Sequence, residues 1–328
     1  MSTPLKYYRE GKYDKPITFA VKHKDFETRM ASRSGGIFTA LSDVILNEGG
    51  VVYGCVLTED FTAIHIRAET EEERNLMRGS KYIQSQIRNV FSEVKNDLLS
   101  GRKVLFSGTS CQVAGLNGFL GKSYENLFCV DIVCHGVPSP SVWKEYLKWQ
   151  ENKNSSSVIS VDFRNKKDFG WKAHMETLFF ENGKQVNSRV FTNLFYSHNI
   201  LRPCCYQCPY KCIIHPGNIT IADYWGIDTA APGFNDNKGV SLCLINDDIG
   251  NVMFGKTRDE LEIRETKIED SLQTPLQKPY PRPKARNKFW IDFQNKSFDF
   301  ISKKYGEQGI IGMTKHAIKK IIHKFILR

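Results

Sequence analysis

Short apolar runs alternate with helix-forming segments through the first half of this 328-residue chain. Strand-like runs occur at Val51–Leu57, Lys103–Gly108 and Leu127–Val133, and apolar residues at helical spacing occur in Asn89–Leu99 and Gln112–Leu120. Such alternation is typical of α/β proteins, in which helices cover the faces of a sheet. The pattern therefore predicts an α/β fold with a mixed, partly parallel sheet that is flanked by helices.

The second half of the chain has a different pattern. Apolar runs at Val158–Arg164 and Met175–Glu181, the latter followed by the turn signal Asn182-Gly183, predict antiparallel strands. The polar stretch Glu151–Ser157 predicts a linker or loop. We therefore expect a more antiparallel second half and the following segments: an N-terminal segment (1–30), an α/β half (31–150), a mixed β-rich half with an irregular cysteine-rich loop (151–275) and a basic C-terminal extension (276–328).

The net charge of +10 arises in the C-terminal extension, because Lys278–Arg328 contains 13 Lys and Arg but only 3 Asp and Glu. Its last part, Thr314–Arg328, has apolar residues at helical spacing with lysines between them: Ala317, Ile318, Ile321, Ile322 and Phe325, with Lys315, Lys319, Lys320 and Lys324. This pattern favours a helix docked on the body with a solvated basic face. The alternatives are peripheral contact with an anionic membrane at its inner face, or contact with an acidic partner.

Composition also excludes some classes of protein. No nucleic-acid recognition motif accompanies the basic residues, so nucleic acid is not an expected partner. No apolar run approaches the roughly 20 residues that a membrane-spanning helix needs. The chain begins with no signal-peptide pattern, which argues against a secreted, disulfide-bonded protein. We therefore expect a cytoplasmic protein.

Four of the nine cysteines lie within Arg202–Cys212, where Cys205 and Cys208 have the C-x-x-C spacing that lets two thiolates face one metal centre. Cys111 and Cys134 each follow a strand-like run, the position at which α/β proteins place their sites. A thiolate at a helix start, as expected for Cys111, is also stabilised electrostatically. Four thiolates on three loops favour an iron–sulfur cluster.

Other interpretations of the cysteines stay open. Zinc usually takes its four ligands from two tight pairs, and only one tight pair is present, although His215 is close enough in sequence to serve as a ligand. A redox-active dithiol of the thioredoxin type begins a helix directly after a strand, whereas this pair lies in a loop. Cys55, Cys129 and Cys243 lie in apolar runs and are expected to be small core residues.

Further segments carry candidate binding residues. Ser34-Gly35-Gly36 at a helix start offers backbone N–H groups to a phosphate, although serine and glycine are also ordinary residues there. Lys81 in Gly79–Tyr82 is either a functional cation or a solvated lysine in a turn. Asp223–Gly226 and Gly170–Lys172 contribute aromatic residues either to a packed corner or to a wall for a flat cofactor. His135 is either a proton relay or a hydrogen-bond donor beside Cys134.

Taken together, these motifs occur in the order typical of one family: Ser34-Gly35-Gly36-Ile37-Phe38, Gly79-Ser80-Lys81-Tyr82, Gly108-Thr109-Ser110-Cys111-Gln112, Cys134-His135-Gly136-Val137-Pro138-Ser139, Cys205-Tyr206-Gln207-Cys208 and Asp223-Tyr224-Trp225-Gly226. The chain resembles the coenzyme F420 hydrogenase/dehydrogenase beta subunit family over roughly residues 30–250. The combination is specific, whereas any one of these motifs alone is weak.

The resemblance implies an oxidoreductase in which a flavin, FAD rather than FMN, exchanges a hydride with F420 or another small molecule and a [4Fe–4S] cluster passes single electrons. By motif, Cys111, Cys134, Cys205 and Cys208 are the expected cluster ligands, with Cys212 as the substitute. The residues expected around the flavin, in a flavin-binding half at 31–150 and at one later position, are Ser34, Gly35, Gly36, Lys81, Thr109 and Asp223. Lys81 and His135 are the candidate catalytic residues.

The chain departs from the family pattern in two places. Many members carry an N-terminal ferredoxin-like domain, whereas the first 30 residues here contain no cysteine, so a separate electron carrier such as a ferredoxin is the expected partner. Ser110 replaces a residue that is commonly proline. Similar short members resemble proteins of surface-polysaccharide synthesis, which suggests a redox step there. The alternatives are a non-catalytic electron-transfer subunit and a zinc-stabilised accessory protein.

Overall fold

The structure, a computed structural model, describes residues 11–306. These residues form two compact units: the first contains the chain up to His135 with Lys166–Ala173 and Gln207–Pro279, and the second contains Gly136–Asn165, His174–Tyr206 and the chain from Tyr280 onward. The segment boundaries at residues 30, 150 and 275 stay a prediction. Within residues 11–306, no helix is long and apolar enough to cross a bilayer.

The described residues contain the following strands, numbered in chain order: β1 (Ile17–His23), β2 (Val51–Leu57), β3 (Ala63–Ala68), β4 (Val104–Thr109), β5 (Leu127–Ile132), β6 (Val158–Asp162), β7 (Glu176–Phe180), β8 (Gln185–Ser188), β9 (Ile219–Asp223), β10 (Ser241–Ile245) and β11 (Leu261–Thr266). Eight of them form one sheet in the order β11-β1-β10-β9-β5-β4-β2-β3, within the first unit. The run β2-β4-β5-β9 is parallel, and the other pairs are antiparallel. The predicted mixed, partly parallel sheet is confirmed.

The described helices are α1 (Phe26–Ala31), α2 (Ile37–Asn47), α3 (Glu71–Asn75), α4 (Val90–Leu99), α5 (Ser110–Leu120), α6 (Pro140–Asn154), α7 (Lys166–Phe169), α8 (Val190–Tyr196), α9 (Ile227–Ala230), α10 (Asp248–Gly255), α11 (Arg286–Asn295) and α12 (Phe298–Lys304). Short 3₁₀ segments add Pro203–Gln207, Arg258–Glu260, Ile268–Ser271 and Thr274–Leu276. The N-terminus of α3 is held by a capping box in which Thr70 and Glu73 each bond the other's backbone N–H.

Apolar clusters cover both faces of the large sheet. Successive side chains of a strand point in opposite directions, so each central strand contributes to both clusters. Val52 of β2 lies in the same apolar cluster as Leu41 of α2, whereas the next residue, Tyr53, lies in the opposite cluster with Leu116 of α5. Parallel strands that are covered on both faces have sequences with nearly continuous apolar runs, and β2 and β4 have such sequences. Helices therefore flank the sheet, as the sequence predicts.

The second unit contains the antiparallel sheet β6-β7-β8 and the helices α6, α8, α11 and α12. Trp143 and Tyr146 of α6 pack against Phe191 of α8, with ring centroids 4.8 and 5.6 Å apart. The buried carboxylate of Glu176 accepts hydrogen bonds from the first turn of α8, at 3.0 Å from Phe191 N and 3.1 Å from Thr192 N. Burial raises the pKa of Glu176, and these donors partly oppose that rise.

Most predicted elements are confirmed, including the hairpin turn at Asn182-Gly183, where Gly183 has a positive φ of 79°. One prediction is wrong: the polar stretch Glu151–Ser157 is not a loop throughout, because α6 continues to Asn154 and ends at Ser155 in the left-handed region. Polar residues on the exposed side of a helix look like a loop in sequence. The strands β8 and β11 and the helices α1, α3 and α7 to α12 were not predicted. The amphipathic stretch Thr314–Arg328 lies outside the described residues.

Candidate functional site

Three neighbouring parallel strands end at one edge of the large sheet: predicted site residues follow β4 and β5, and another is the last residue of β9. Thr109 at the end of β4 pairs with Ile132 at the end of β5, which pairs with Ile221 of β9. Cys111, Cys134 and Asp223 each lie two residues beyond these paired positions. Ligands of open α/β sheets bind outside the carboxyl ends of the strands. The register therefore brings these residues to the expected kind of site.

The Ser34–Gly36 loop lies at the same edge, because Ser241 of β10 pairs both with Asp223 of β9 and with Val21 of β1. Ser34 Oγ donates to Val240 O at 2.7 Å, and Gly35 N donates to Ser241 Oγ at 2.8 Å. A Cβ on Gly35 would lie 2.2 Å from Val21 O. Two of the three predicted phosphate-binding residues therefore use their polar groups to fix the loop on β10.

Gly36 is the residue of this loop that borders α2. It has a φ of 93°, which an L side chain rarely adopts, and it is the N-cap of the 11-residue helix Ile37–Asn47. The first N–H groups of a helix have no partner within the helix and lie at the positive end of its dipole. The phosphate prediction therefore fits the helix start better than it fits Ser34 or Gly35.

Cys111 lies in the first turn of α5, whose start is defined by its neighbours. Thr109 N donates to Gln112 Oε1 at 2.9 Å, and Thr109 Oγ1 lies 3.1 Å from Cys111 Sγ. The thiol of Cys111 is exposed and forms no disulfide. A helix N-terminus favours negative charge, so this position suits a thiolate ligand. Thr109, which is predicted to border the flavin, contacts the predicted cluster ligand.

Cys134 follows β5 and is half-buried. Its carbonyl accepts a hydrogen bond from the ammonium of Lys211, a buried side chain in the segment after Cys208. Cys208 and Lys211 are also linked directly, because Lys211 N donates to Cys208 O at 3.5 Å. Three predicted ligands of the first unit, Cys111, Cys134 and Cys208, thus lie on segments that begin at or contact the same sheet edge.

Cys205 belongs to the second unit and lies in the 3₁₀ segment Pro203–Gln207, where its N–H donates to Arg202 O at 3.0 Å. Cys204 beside it is exposed, and Cys212 donates its thiol to Ile214 O at 3.2 Å. No disulfide joins any of the nine cysteines, all of which lie within residues 11–306. Among the described residues, no three His, Cys, Asp or Glu side chains come close enough to hold one metal ion.

The three cysteines predicted for the core have different surroundings. Cys129 and Cys243 are buried, and burial raises the pKa of both thiols, that of Cys129 to about 12. Cys55 of β2 is only half-buried, so it belongs less fully to the core than predicted. Burial also raises the pKa of Cys55, while the positive charge of Lys81 opposes this rise.

Lys81 forms a local structure rather than a solvated turn. Its ammonium donates to three backbone carbonyls that follow α3, at 3.1 Å from Leu76 O and 2.9 Å from both Met77 O and Arg78 O. Burial lowers the pKa of Lys81 to about 8. A lysine with such a pKa exchanges protons near neutrality, yet its three donors are all used. His135, the other candidate catalytic residue, is half-buried and is the last residue of the first of the three segments that form the first unit.

The aromatic residues near Asp223 form a packed corner. Trp171 is fully buried, stacks on Trp225 with ring centroids 5.0 Å apart and donates its indole N–H to Asp223 Oδ1 at 2.7 Å. Tyr224 is also buried, and its hydroxyl donates to Thr266 Oγ1 at 2.8 Å. Of these rings, only Trp225 is partly exposed, so it is the one able to offer a face to a flat ligand.

The match to known proteins agrees with this geometry. The family model for the C terminus of the coenzyme F420 hydrogenase/dehydrogenase beta subunit matches residues 101–271, which is more than half of the chain. The chain belongs to this family. The matched range contains all four predicted cluster ligands, whereas Ser34–Gly36 and Lys81 lie before it. Membership in a family of hydrogenase and dehydrogenase subunits indicates a redox function.

Solved structures support the fold of this beta-subunit family member. The F420-reducing [NiFe] hydrogenase complex from Methanosarcina barkeri, in a xenon derivative, contains a chain with 19% identity and a TM-score of 0.52. The similarity covers 76% of the present chain and 82% of that chain. At this identity the likeness concerns the fold alone. A search of curated proteins found no match.

Two sets of buried interactions in this family member were not predicted from the sequence. Lys166 is buried, and its ammonium donates to several carbonyls of the loop that leads to Ser34. His215 and Asp131 are buried together, with 3.0 Å between His215 Nδ1 and Asp131 Oδ2. One signal was present: Asp131 is a charged residue inside the apolar run of β5, and a buried carboxylate requires a partner.

Proposed function

We propose that this beta-subunit family member is a flavin- and [4Fe–4S]-dependent oxidoreductase. The observation that carries the proposal is the register of β4 and β5, which puts Cys111 and Cys134 at neighbouring strand ends inside the family match. Such a flavin exchanges electron pairs as hydride, and such a cluster exchanges single electrons. Cys111, Cys134, Cys205 and Cys208 are the proposed cluster ligands.

The donor set fits an iron–sulfur cluster in its chemistry. None of the four cysteines, which all lie in the described part of the chain, forms a disulfide, and Cys111 at the start of α5 is both exposed and close to positive helix charge. A cluster binds each thiolate to a different iron atom, so it tolerates wider separation of the sulfurs than a single ion does. Zinc, in contrast, requires four ligands at about 2.3 Å from one centre.

For the flavin, FAD rather than FMN, the proposed contacts are at the edge where α2 begins. Gly36 would present the helix start to a phosphate, and Trp225 would offer an aromatic face. Ser34, Gly35 and Thr109 would act by fixing the loops, because their polar groups are bound within the protein. Lys81 and Asp223 complete the proposed set, and Lys81 and His135 stay the candidates for proton transfer.

The reaction partners follow from the same proposal. We propose F420 or another small molecule as the hydride donor or acceptor, in line with the family to which the chain belongs. A separate carrier such as a ferredoxin would exchange single electrons with the cluster. We also propose partner subunits, since the similar solved structure is that of a hydrogenase complex.

The cellular setting is also a proposal. We propose a cytoplasmic protein that serves surface-polysaccharide synthesis and contacts the inner membrane face through its basic C-terminal extension. Deletion of residues 314–328 should then lower binding to vesicles of anionic lipid and leave binding to neutral vesicles unchanged. Equal binding of the full and shortened chains to anionic vesicles would contradict the membrane contact.

The decisive experiment for the function is anaerobic purification with iron, sulfide, zinc and flavin measured on the same sample. We expect a brown protein with about four irons, four sulfides and one flavin per chain. Cys134→Ser and Cys205→Ser should lose iron, whereas the matched control Cys204→Ser, which changes the exposed neighbour, should retain it. A colourless protein with one zinc would instead favour the zinc-stabilised accessory protein. A cluster without flavin would favour the non-catalytic electron-transfer subunit.

A further inference from the structure

A buried polar cluster lies directly beneath the sheet edge that carries the predicted ligands. His215 Nδ1 lies 3.0 Å from Asp131 Oδ2 and 3.1 Å from Ser110 Oγ. Thr220 Oγ1 donates to the other carboxylate oxygen, Asp131 Oδ1, at 2.6 Å. None of these four residues is more than 3% exposed. Buried polar groups that satisfy one another hold their segments in fixed relative positions.

The members of this cluster come from the segments that carry the cysteines. Ser110 directly precedes Cys111, Asp131 lies three residues before Cys134, and His215 belongs to the segment that follows Cys208. All of them lie in the first unit of the protein. The ammonium of Lys211, on the same segment as His215, adds a second link through the carbonyl of Cys134. These hydrogen bonds thus join the three cysteine-bearing segments beneath the edge.

The two ring nitrogens of His215 have different surroundings. Nδ1 is shared between Asp131 and Ser110, whereas Nε2 is fully buried and has no hydrogen-bond partner in the described part of the chain. Leaving a buried polar atom without a partner costs free energy. The imidazole therefore contacts Asp131 and Ser110 through Nδ1. Since Nε2 is covered by protein atoms, His215 is not placed to act as a metal ligand.

We propose that His215, oriented by Asp131, is a positioning residue that fixes the Cys111, Cys134 and Cys208 segments around the cluster. This inference rests on the proposed [4Fe–4S] function and adds to it a residue outside the ligand set. Partners behind the ligands of a metal site hold those ligands in the binding geometry, and their loss typically weakens metal retention. His215 would act in this way through the backbone of three segments at once.

The test compares three substitutions of His215 in the full-length, iron-loaded protein. The amide of Asn reaches the place of Nδ1, so His215→Asn should keep the link to Asp131. The longer amide of Gln reaches the place of Nε2, and Ala reaches neither, so His215→Gln and His215→Ala should break the link. Iron release to a chelator is timed without oxygen, and the cluster's reduction potential and electron paramagnetic resonance spectrum are recorded.

Tyr53→Phe is the matched control, because it removes another hydrogen bond of a buried residue in the same unit, from Tyr53 Oη to Asp97 Oδ2 at 2.6 Å. We expect iron release to be about 10- to 100-fold faster in His215→Gln and His215→Ala and near wild type in His215→Asn and Tyr53→Phe. The potential and the spectrum should change only in the first two. If His215→Ala does not fold, Ser110→Ala removes one contact of Nδ1 and should accelerate release to a smaller extent.

The outcomes separate this inference from the function on which it rests. A wild-type protein without iron would refute the cluster itself. A wild-type protein with iron, in which His215→Gln and Ser110→Ala leave release, potential and spectrum unchanged, would refute only the positioning role. Faster release in Tyr53→Phe to the same degree would also refute it, because general loss of stability would then explain the effect. Iron loss in His215→Asn equal to that in His215→Ala would overturn the assignment to Nδ1.

Discussion

Lys166 offers the sharpest test of how the Ser34–Gly36 loop is held. Its buried ammonium donates to Arg29 O at 2.6 Å, Ser32 O at 2.7 Å, Lys238 O at 3.0 Å and Ser34 O at 3.4 Å. An ammonium has three N–H donors, so the three shorter contacts represent full charge-assisted bonds. Each such bond contributes about 1.5–3 kcal/mol net of water.

The substitution Lys166→Met keeps the length of the side chain and removes its charge. It leaves several carbonyls without a donor and relieves the desolvation of the ammonium, so the net loss of unfolding free energy should be about 3–5 kcal/mol. For a unit of this size the melting temperature should fall by about 10 °C. The control is Lys167→Met, because the neighbouring side chain is exposed and should change the stability by less than about 0.5 kcal/mol.

The assay is anaerobic thermal unfolding of both variants, together with the flavin bound per chain after gel filtration. If the proposed flavin binds beside this loop, Lys166→Met should lose it at temperatures below the melting transition, because the loop that precedes α2 would open before the sheet unfolds. Equal melting temperatures of Lys166→Met and Lys167→Met would refute the reasoning. Full flavin retention in a destabilised Lys166→Met protein would refute the link between this loop and the flavin.

Two other predictions concern stability. Burial lowers the pKa of His65 to about 4, so as the pH falls below about 6.5 this residue takes up a proton in the unfolded chain but not in the folded protein. The unfolding free energy in urea should therefore be about 2 kcal/mol lower at pH 5 than at pH 7 because of this residue. His65→Gln should remove that part of the loss. In Gly35→Ala the new Cβ would lie 2.2 Å from Val21 O and 2.6 Å from Ser241 N, so the free energy of unfolding should fall by about 3 kcal/mol or more. A Cβ at Gly118 would have nothing within 4 Å, so Gly118→Ala should leave that free energy unchanged or raise it slightly. Equal urea midpoints for the two glycine variants, or a pH slope that His65→Gln leaves unaltered, would contradict these predictions.

The sequence predicts the central strands and their helices well, because their apolar patterns are local. Val51–Leu57 was predicted with the observed ends, and the helix start predicted at Ser34–Gly36 is observed, since Ile37–Asn47 begins directly after it. The order of the strands is another matter. The place of β1 between β10 and β11 depends on pairings between residues more than 200 positions apart, which no local pattern encodes.

The candidate site could be predicted in part for the same reason. Cys111 and Cys134 stand out because each follows an apolar run, and the parallel register makes the ends of those two strands neighbours. The roles of Ser34 and Gly35 could not be foreseen, since the β10 residues that bind them lie far along the chain. His215 was noticed only as a possible zinc ligand, because sequence does not show which of its nitrogens is paired.

Ser110 connects the departure from the family pattern with the buried cluster. A proline at this first position of α5 would fit the helix start but carries no hydroxyl, whereas Ser110 Oγ lies 3.1 Å from His215 Nδ1. The side chains beneath the ligands thus gain a contact through the same residue that precedes Cys111. This contact, the β4–β5 ladder and the Lys211 link fix the segments of Cys111, Cys134 and Cys208 relative to one another through groups of the protein. The proposed cluster would therefore bind to segments whose relative positions are set by the fold, and the residues that set them, Ser110 and His215, are the ones whose loss should weaken its retention.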